Sequence, residues 1–125
     1  MHELSIAQAI VDVAARHADG RRVVKVEVRV GHLRQVVPDS LDFAFSLLTS
    51  GTALDGCQLE ILHVAAEGRC RGCGATSTLA DFPLRCARCG GFDVEVVAGE
   101  ELLVDALELE GETMFNERVD HGSHV

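Results

Sequence analysis

Two pairs of cysteines are the residues of this chain whose type and spacing most clearly imply chemistry. The pairs are Cys70 with Cys73 and Cys86 with Cys89, and twelve residues separate them. Each Cys-x-x-Cys turn can direct two thiolates at one ion, and two such turns complete a tetrahedral shell with Zn–S distances of about 2.3 Å. The spacing therefore predicts a zinc site at these four residues. Because four thiolates leave no open position for water or substrate, we expect this zinc to be structural.

The same cysteines could instead form two disulfides in a secreted domain. The N-terminus shows no basic segment followed by an apolar stretch, as a secretory signal would require. Thiols stay reduced in a reducing compartment, so we expect zinc rather than disulfides, and a cytoplasmic protein. No apolar run approaches the roughly 20 residues that span a bilayer, and we expect no membrane span.

The first three residues offer a second set of metal ligands. In Met1-His2-Glu3 an imidazole lies next to an α-amine and backbone amide nitrogens, which together close a five-membered and a six-membered chelate ring. Planar nitrogen coordination of this kind suits Ni(II) or Cu(II) better than zinc, calcium or magnesium. A histidine in second position is nevertheless more often an ordinary solvated terminus, so these residues alone do not establish a metal site.

Composition favours a protein that does not bind nucleic acid. The 125 residues carry a net charge of −9, which repels a phosphate backbone, and there is no Trp or Tyr on which bases could stack. Four arginines in or beside the cysteine segment keep nucleic-acid binding open as an alternative; they are Arg69, Arg71, Arg85 and Arg88. An enzyme would need an open metal position or an activated nucleophile, and the sequence offers neither.

Hydrophobic periodicity predicts the elements that position these residues. Apolar residues recur every three or four positions in two segments and alternate in three others, which indicates two amphipathic helices and three strands. Ser5 with Gln8 matches a capping box that would start the first helix. The predicted elements are a helix over 4–17, a strand over 24–30, a helix from Pro38 to about Gly51, and strands over 57–64 and 101–110. Residues 101–110 are also rich in the helix formers Glu, Leu and Ala, and they are assigned as a strand because a sheet of two strands would be marginal without a third.

The predicted fold class is α/β (α+β), with two helices packed on a small three-stranded sheet and an inserted zinc-ribbon module. We expect residues 1–66 and 99–112 to form the α/β domain and residues 67–98 the zinc-binding domain. Residues 113–125, rich in polar residues, are expected to form a flexible C-terminal tail. With 47% apolar residues the chain can bury a modest core.

We expect structural or surface roles for the remaining cysteine and histidines. Cys57 lies in an apolar strand pattern, where a lone cysteine usually behaves as a small buried hydrophobe rather than a nucleophile. His17, His32 and His63 are expected in core or surface positions, and the tail residues at 121 and 124 in solvent. The chain has no Gly-rich phosphate loop, so it should not hydrolyse nucleotide itself.

Several segments in the same order resemble the HypA/HybF family of nickel-delivery accessory proteins for nickel–iron hydrogenases. The resemblance covers roughly residues 1–110 and includes the two cysteine pairs. The other segments that carry it are Met1–Ser5, Val28–Leu33, Val37–Phe45 and Gly51–Gly56. An N-terminal Met-His-Glu combined with a later Cys-x-x-Cys pair is a quite specific signal for this resemblance.

The resemblance implies a function for each set of ligands. His2 would be the central nickel ligand, with backbone nitrogens near Met1, His2 and Glu3, and Glu3 would contribute its carboxylate or orient the site. The α/β domain would bind Ni(II) as transient cargo, and the cysteines would hold structural Zn(II). The protein would be a metallochaperone and maturation factor rather than an enzyme. Its partners would be the hydrogenase large-subunit precursor and a HypB-type GTPase, with self-association possible.

Overall fold

The computed structural model describes residues 2–114 and 117–118. It confirms the predicted fold class of two helices with small sheets. The elements are α1 (His2–Ala18), β1 (Val23–Gly31), a 3-10 turn (His32–Arg34), α2 (Pro38–Thr49), β2 (Gln58–Val64), β3 (Glu67–Cys70), β4 (Thr76–Thr78), β5 (Val94–Ala98), β6 (Leu102–Leu109), β7 (Glu112–Met114) and β8 (Glu117–Arg118).

The chain divides into two compact units. The first contains Met1–Arg29, Val36–Leu62 and Leu102–Val125, and the second contains Val30–Gln35 and His63–Glu101. The domain boundaries proposed from composition stay a prediction. Of the predicted tail, β7 and β8 carry described backbone, while residues 115–116 and 119–125, including His121 and His124, lie outside the described residues.

The first unit holds the larger sheet, in the order β2-β1-β6-β7 with β8 also pairing with β6. The three predicted strands are its neighbours β2, β1 and β6. Two ion pairs link them on the hydrated face: Lys25 Nζ lies 2.7 Å from Glu60 Oε1, and Arg29 Nη2 lies 3.2 Å from Asp105 Oδ2. The short strands β7 and β8 extend the sheet beyond the three predicted members.

The core of the first unit lies between the two helices and this sheet. The predicted capping box of Ser5 with Gln8 is wrong, because α1 already begins at His2 and Gln8 donates to Asp12 Oδ1 within the helix at 2.8 Å. In β1 the alternation holds from Val26 onward, whereas Val24 is 45% exposed. The largest side chains with less than 2% exposure in this unit are Phe45, Ile10, Leu41, Leu102, Leu107 and Leu109.

The second unit holds a three-stranded sheet in the order β4-β3-β5. Both pairings of β3 are antiparallel, with Arg69 opposite Thr76 on one side and Glu95 on the other. The 3-10 turn is fixed to the segment after β5 by backbone hydrogen bonds, from Gly31 N to Glu101 O and from Leu33 N to Gly99 O, each 2.8 Å long. A Cβ on Gly31 would lie 2.1 Å from Gly99 O, so only glycine permits this approach.

Candidate metal centres

The structure brings the four predicted zinc ligands together. Their Sγ atoms all lie within 4.8 Å of one another. Cys70 Sγ lies 3.6 Å from Cys89 Sγ, and Cys73 Sγ lies 3.6 Å from Cys86 Sγ. Sulfur atoms at the corners of a tetrahedron around zinc are about 3.8 Å apart, since each Zn–S bond is about 2.3 Å. The donor set and its spacing therefore fit a tetrahedral thiolate site.

Each cysteine pair lies on a turn of the same construction. After the first cysteine of each pair, a backbone bond closes the turn, from Gly74 N to Cys70 O at 2.8 Å and from Gly90 N to Cys86 O at 2.9 Å. Gly74 has φ +79° and Gly90 has φ +76°, in the left-handed region that favours glycine. One glycine after each pair thus lets the backbone reverse its direction, so that both thiols of the pair point towards the other pair.

Backbone N–H groups prepare one of the thiols to ionise. The N–H groups of Cys89 and Arg88 each donate to Cys86 Sγ at 3.4 Å, which lowers the pKa of Cys86 to about 6. Gly91 N–H acts on Cys89 in the same direction, but the surrounding thiols, Cys70 first, outweigh it and raise the pKa of Cys89 to about 11. A bound metal ion would remove the remaining thiol protons outright. All four cysteines would therefore be thiolates together only when the ion is bound.

The structure places two of the three predicted nickel ligands in the first turn of α1. His2 is exposed and Glu3 is half-buried, while Met1 lies outside the described residues. Val37 N–H donates to Glu3 Oε2 at 3.0 Å, and this hydrogen bond lowers the pKa of Glu3 below its usual 4.5. One carboxylate oxygen of Glu3 is therefore engaged in joining the start of α1 to the start of α2.

The structure also brings together two histidines that the sequence left apart. His32 follows β1 and His63 lies near the end of β2, and their rings meet edge to face with centroids 5.4 Å apart. His32 Nδ1 lies 3.3 Å from His63 Nε2. These residues are 31 positions apart, so no local pattern relates them and only the folded chain shows the contact.

Other candidate residues have structural roles. Cys57 is half-buried before β2, and burial raises the pKa of its thiol to about 11, so it is a poor nucleophile at neutral pH. Two arginines of the cysteine segment have partners: Arg71 forms an ion pair with Asp93 at 2.8 Å, and the guanidinium of Arg85 lies 5.2 Å from the centre of the Phe92 ring. The charge of Arg71 is thus balanced by Asp93, whereas Arg85 contacts an uncharged ring.

None of the helices in the described part of the chain has the length and apolar run that crossing a bilayer requires.

Comparison with known structures agrees on the fold. The chain matches the solution structure of the Ni metallochaperone HypA from Helicobacter pylori with a TM-score of 0.63 at 20% identity, covering 87% of this chain and 97% of that one. A second solution structure, of a HypA protein, matches with a TM-score of 0.64 at 20% identity, covering 90% and 98%. At this identity the likeness shows the fold alone.

Comparison with known sequences shows the family. The sequence profile described as "Hydrogenase/urease nickel incorporation, metallochaperone, hypA" matches residues 1–109. The hydrogenase maturation factor HypA of Geotalea uraniireducens is 47% identical over 110 residues, covering 88% of this chain and all of that one. The protein of the same name from Nostoc punctiforme is 40% identical over 110 residues, covering 88% and 96%. The chain therefore belongs to the HypA family of nickel metallochaperones, and it is a hydrogenase maturation factor rather than an enzyme.

Proposed function

We propose that the chain binds Ni(II) at its N-terminus and delivers it to the large-subunit precursor of a nickel–iron hydrogenase. A separate zinc ion, held by Cys70, Cys73, Cys86 and Cys89, would stabilise the unit that contains them. The observation that carries the nickel assignment is the placement of His2, exposed in the first turn of α1. The family description, which names nickel incorporation, and the names of the relatives support the acceptor.

The start of a helix can offer its backbone nitrogen to a metal at no cost to the helix. The first N–H groups of an α-helix have no acceptor within it, so coordination through the backbone nitrogen of His2 would break no helical hydrogen bond. The imidazole of His2 and the α-amine of Met1 would complete the chelate rings. This set requires Met1 to be the first residue and to be unblocked, and planar nitrogen ligands suit Ni(II).

Release of nickel is favoured by the same location. The N-terminal end of a helix carries a partial positive charge, which disfavours a bound cation and weakens its retention. Imidazole and amine ligands must also be neutral to coordinate, so acid competes with the metal. We propose that acceptor thiolates on the hydrogenase precursor displace the nitrogen ligands on docking. Glu3, with one oxygen held by Val37, would orient the turn rather than act as a full ligand.

Zinc is the ion that best fits the four thiolates. The sulfur spacing matches a tetrahedron, and tetrahedral thiolate coordination is typical of structural zinc. Nickel and zinc would then be held by the two domains predicted from the sequence, residues 1–66 with 99–112 and residues 67–98. We further propose a HypB-type GTPase as a second partner, because the sequence has no phosphate-binding loop of its own. We also propose a cytoplasmic location.

Nickel titration of the native, untagged protein tests the site. With zinc already bound, we expect one Ni(II) per chain and a visible absorption band typical of planar nitrogen coordination. His2→Ala should lose that band and one equivalent of nickel while zinc content and helical circular dichroism stay unchanged.

Two controls make the result specific. His17→Ala changes a histidine at the other end of α1 and should keep the nickel band. One residue added before Met1 should remove the band, because it takes the α-amine out of the chelate. Full nickel stoichiometry with an unchanged spectrum in His2→Ala would rule the proposed site out.

A further inference from the structure

We propose that His32 and His63 form a second, labile zinc site in the unit that contains the four cysteines. The proposal does not depend on the nickel function. It rests on three described residues of that unit: the two histidines, whose ring nitrogens face each other at 3.3 Å, and Asp81 beside His32.

The contacts of His32 determine which of its nitrogens can bind a metal. Its Nε2 lies 2.5 Å from the carbonyl oxygen of Ala80 and 3.4 Å from Asp81 Oδ1, so two acceptors face this atom. We therefore assign the proton of the neutral ring to Nε2. A neutral imidazole with its proton on Nε2 has its lone pair on Nδ1, and Nδ1 is the atom that faces His63.

This arrangement matches the surroundings of a histidine that binds metal. Such residues donate their second ring N–H to a carboxylate or a backbone carbonyl, which fixes the ring and makes the other nitrogen a better donor. Ala80 and Asp81 supply both kinds of acceptor to His32. The neighbouring backbone is also fixed, since Gln35 N donates to His32 O at 3.1 Å and closes the turn.

The spacing of the two nitrogens is compatible with tetrahedral coordination. Two nitrogen ligands at tetrahedral positions around zinc are about 3.3 Å apart, because each Zn–N bond is about 2.0–2.1 Å. Ligands at right angles, as in octahedral or planar coordination, would be about 2.9 Å apart at the same bond length. The measured 3.3 Å between His32 Nδ1 and His63 Nε2 therefore fits zinc without moving the rings apart.

The site is open, which makes the ion exchangeable. His63 is exposed and the His32 side chain is 36% exposed, so water would complete the tetrahedron. Two imidazoles and two waters hold zinc far less tightly than four thiolates, whose charge and softness suit the ion. The net charge of −9 attracts cations to the protein surface. Zinc would thus occupy this site only after the cysteine site is full.

Nitrogen-15 NMR of the histidine rings tests the proposal on full-length protein. The sample already holds one zinc in the cysteine site and carries His2→Ala, His121→Gln and His124→Gln, which leaves the ring signals of His17, His32 and His63. On adding Zn(II) we expect the His32 Nδ1 and His63 Nε2 signals to shift together and to saturate at one further equivalent. His17 should not shift.

Variants separate coordination from a simple hydrogen bond. Adding His63→Gln should abolish the second equivalent in equilibrium dialysis, and Asp81→Asn should weaken it about tenfold by removing the carboxylate acceptor. His17→Gln should leave it unchanged. The proposal is overturned if zinc moves neither ring signal, which would mean a hydrogen bond only, or if the second equivalent survives in His63→Gln. Neither result would bear on nickel binding at His2, which is measured separately on protein that retains His2.

Discussion

Glu3 shows how a residue beside a proposed metal ligand can be structural. Its carboxylate accepts the N–H of Val37, the residue that precedes α2, whose side chain makes no hydrogen bond that would cap the helix. The hydrogen bond thus joins the first turn of α1 to the start of α2. The resemblance alone left ligation and orientation both open for Glu3, and the contact favours orientation.

Replacing Glu3 should lower stability in a way that separates its charge from its hydrogen bond. Glu3→Ala loses the acceptor and should reduce the free energy of unfolding by about 1 kcal/mol, while Glu3→Gln keeps an acceptor oxygen and should lose less. Urea denaturation measures both. Equal losses in the two variants would contradict the role of the Val37 contact.

The lowered pKa of Glu3 gives the wild type a defined pH dependence. A carboxyl whose folded-state pKa lies below its unfolded value stabilises the fold fully above the unfolded value, which is 4.5 here. That contribution is lost as the pH falls through the folded-state pKa. The Val37 amide signal should follow this titration in wild-type protein and not in Glu3→Gln.

Replacing a cysteine of the cluster and replacing Cys57 should have different effects on zinc content. Cys86→Ser removes a buried thiol whose pKa is lowered to about 6, so zinc content should fall from one equivalent to nearly none and the second unit should lose its fixed structure. Cys57→Ser is the matched control, since Cys57 lies outside the cluster; it should keep full zinc and cost less than about 1 kcal/mol. Zinc released to a chromogenic chelator measures both.

At the scale of single elements, the sequence predicted which segments are helices and strands better than which side chains they bury. Periodicity placed α1, α2, β1, β2 and β6 near their observed bounds, because each has a long amphipathic pattern. In α2 the predicted apolar pattern included Phe43 and Leu47 but not Phe45, and the structure shows that this part of the prediction is wrong, because Leu47 is 59% exposed. Phe45 is 1% exposed and Phe43 is 66% exposed, a difference set by the orientation of the helix on α1 and the sheet.

Truncating these two phenylalanines should therefore have very different effects. Phe45→Ala leaves a cavity in the core and should cost about 3–5 kcal/mol of stability. Phe43→Ala removes an exposed ring and should change stability by no more than about 0.5 kcal/mol. Thermal or urea unfolding followed by circular dichroism compares them directly. Similar losses in the two variants would show that α2 is oriented differently.

The clustering of the four cysteines could be predicted from the sequence, whereas the contact between His32 and His63 could not. Cys-x-x-Cys spacing encodes geometry within a few residues, since each turn positions its own two thiols. His32 and His63 meet only because the fold brings the ends of β1 and β2 together. No short sequence pattern indicates which strands pair when a helix lies between them. Short strands such as β7 escaped prediction for a related reason, since three residues cannot show a period.

At the scale of the whole molecule, the first unit is discontinuous in sequence. Its central strand β6 lies between β1 and β7, yet it follows the segment of the second unit along the chain. Four of the eight residues of β6 are buried, namely Leu102, Val104, Leu107 and Leu109. The helices and strands that precede residue 63 therefore lack a main part of their core without β6.

Shortening the chain at two points tests this dependence. A chain that ends at Glu101 lacks β6 and should lose cooperative unfolding and most helical circular dichroism. A chain that ends at Glu110 keeps β6 and lacks β7 and β8, which are short and pair with β6 alone among the described strands. It should stay folded with a modest loss of stability. A cooperative transition in the shorter chain would contradict the central role of β6.

The late position of β6 also sets an order of events during translation. All four cysteines leave the ribosome before Leu102–Leu109 does, so the turns that hold them can close on zinc while the N-terminal segment still waits for its last central strand. In most chains the part that is made first also folds first, and the position of β6 would reverse that order here. On the functions proposed above, a nascent chain takes up zinc first and becomes a folded nickel carrier only after Leu102–Leu109 has been made.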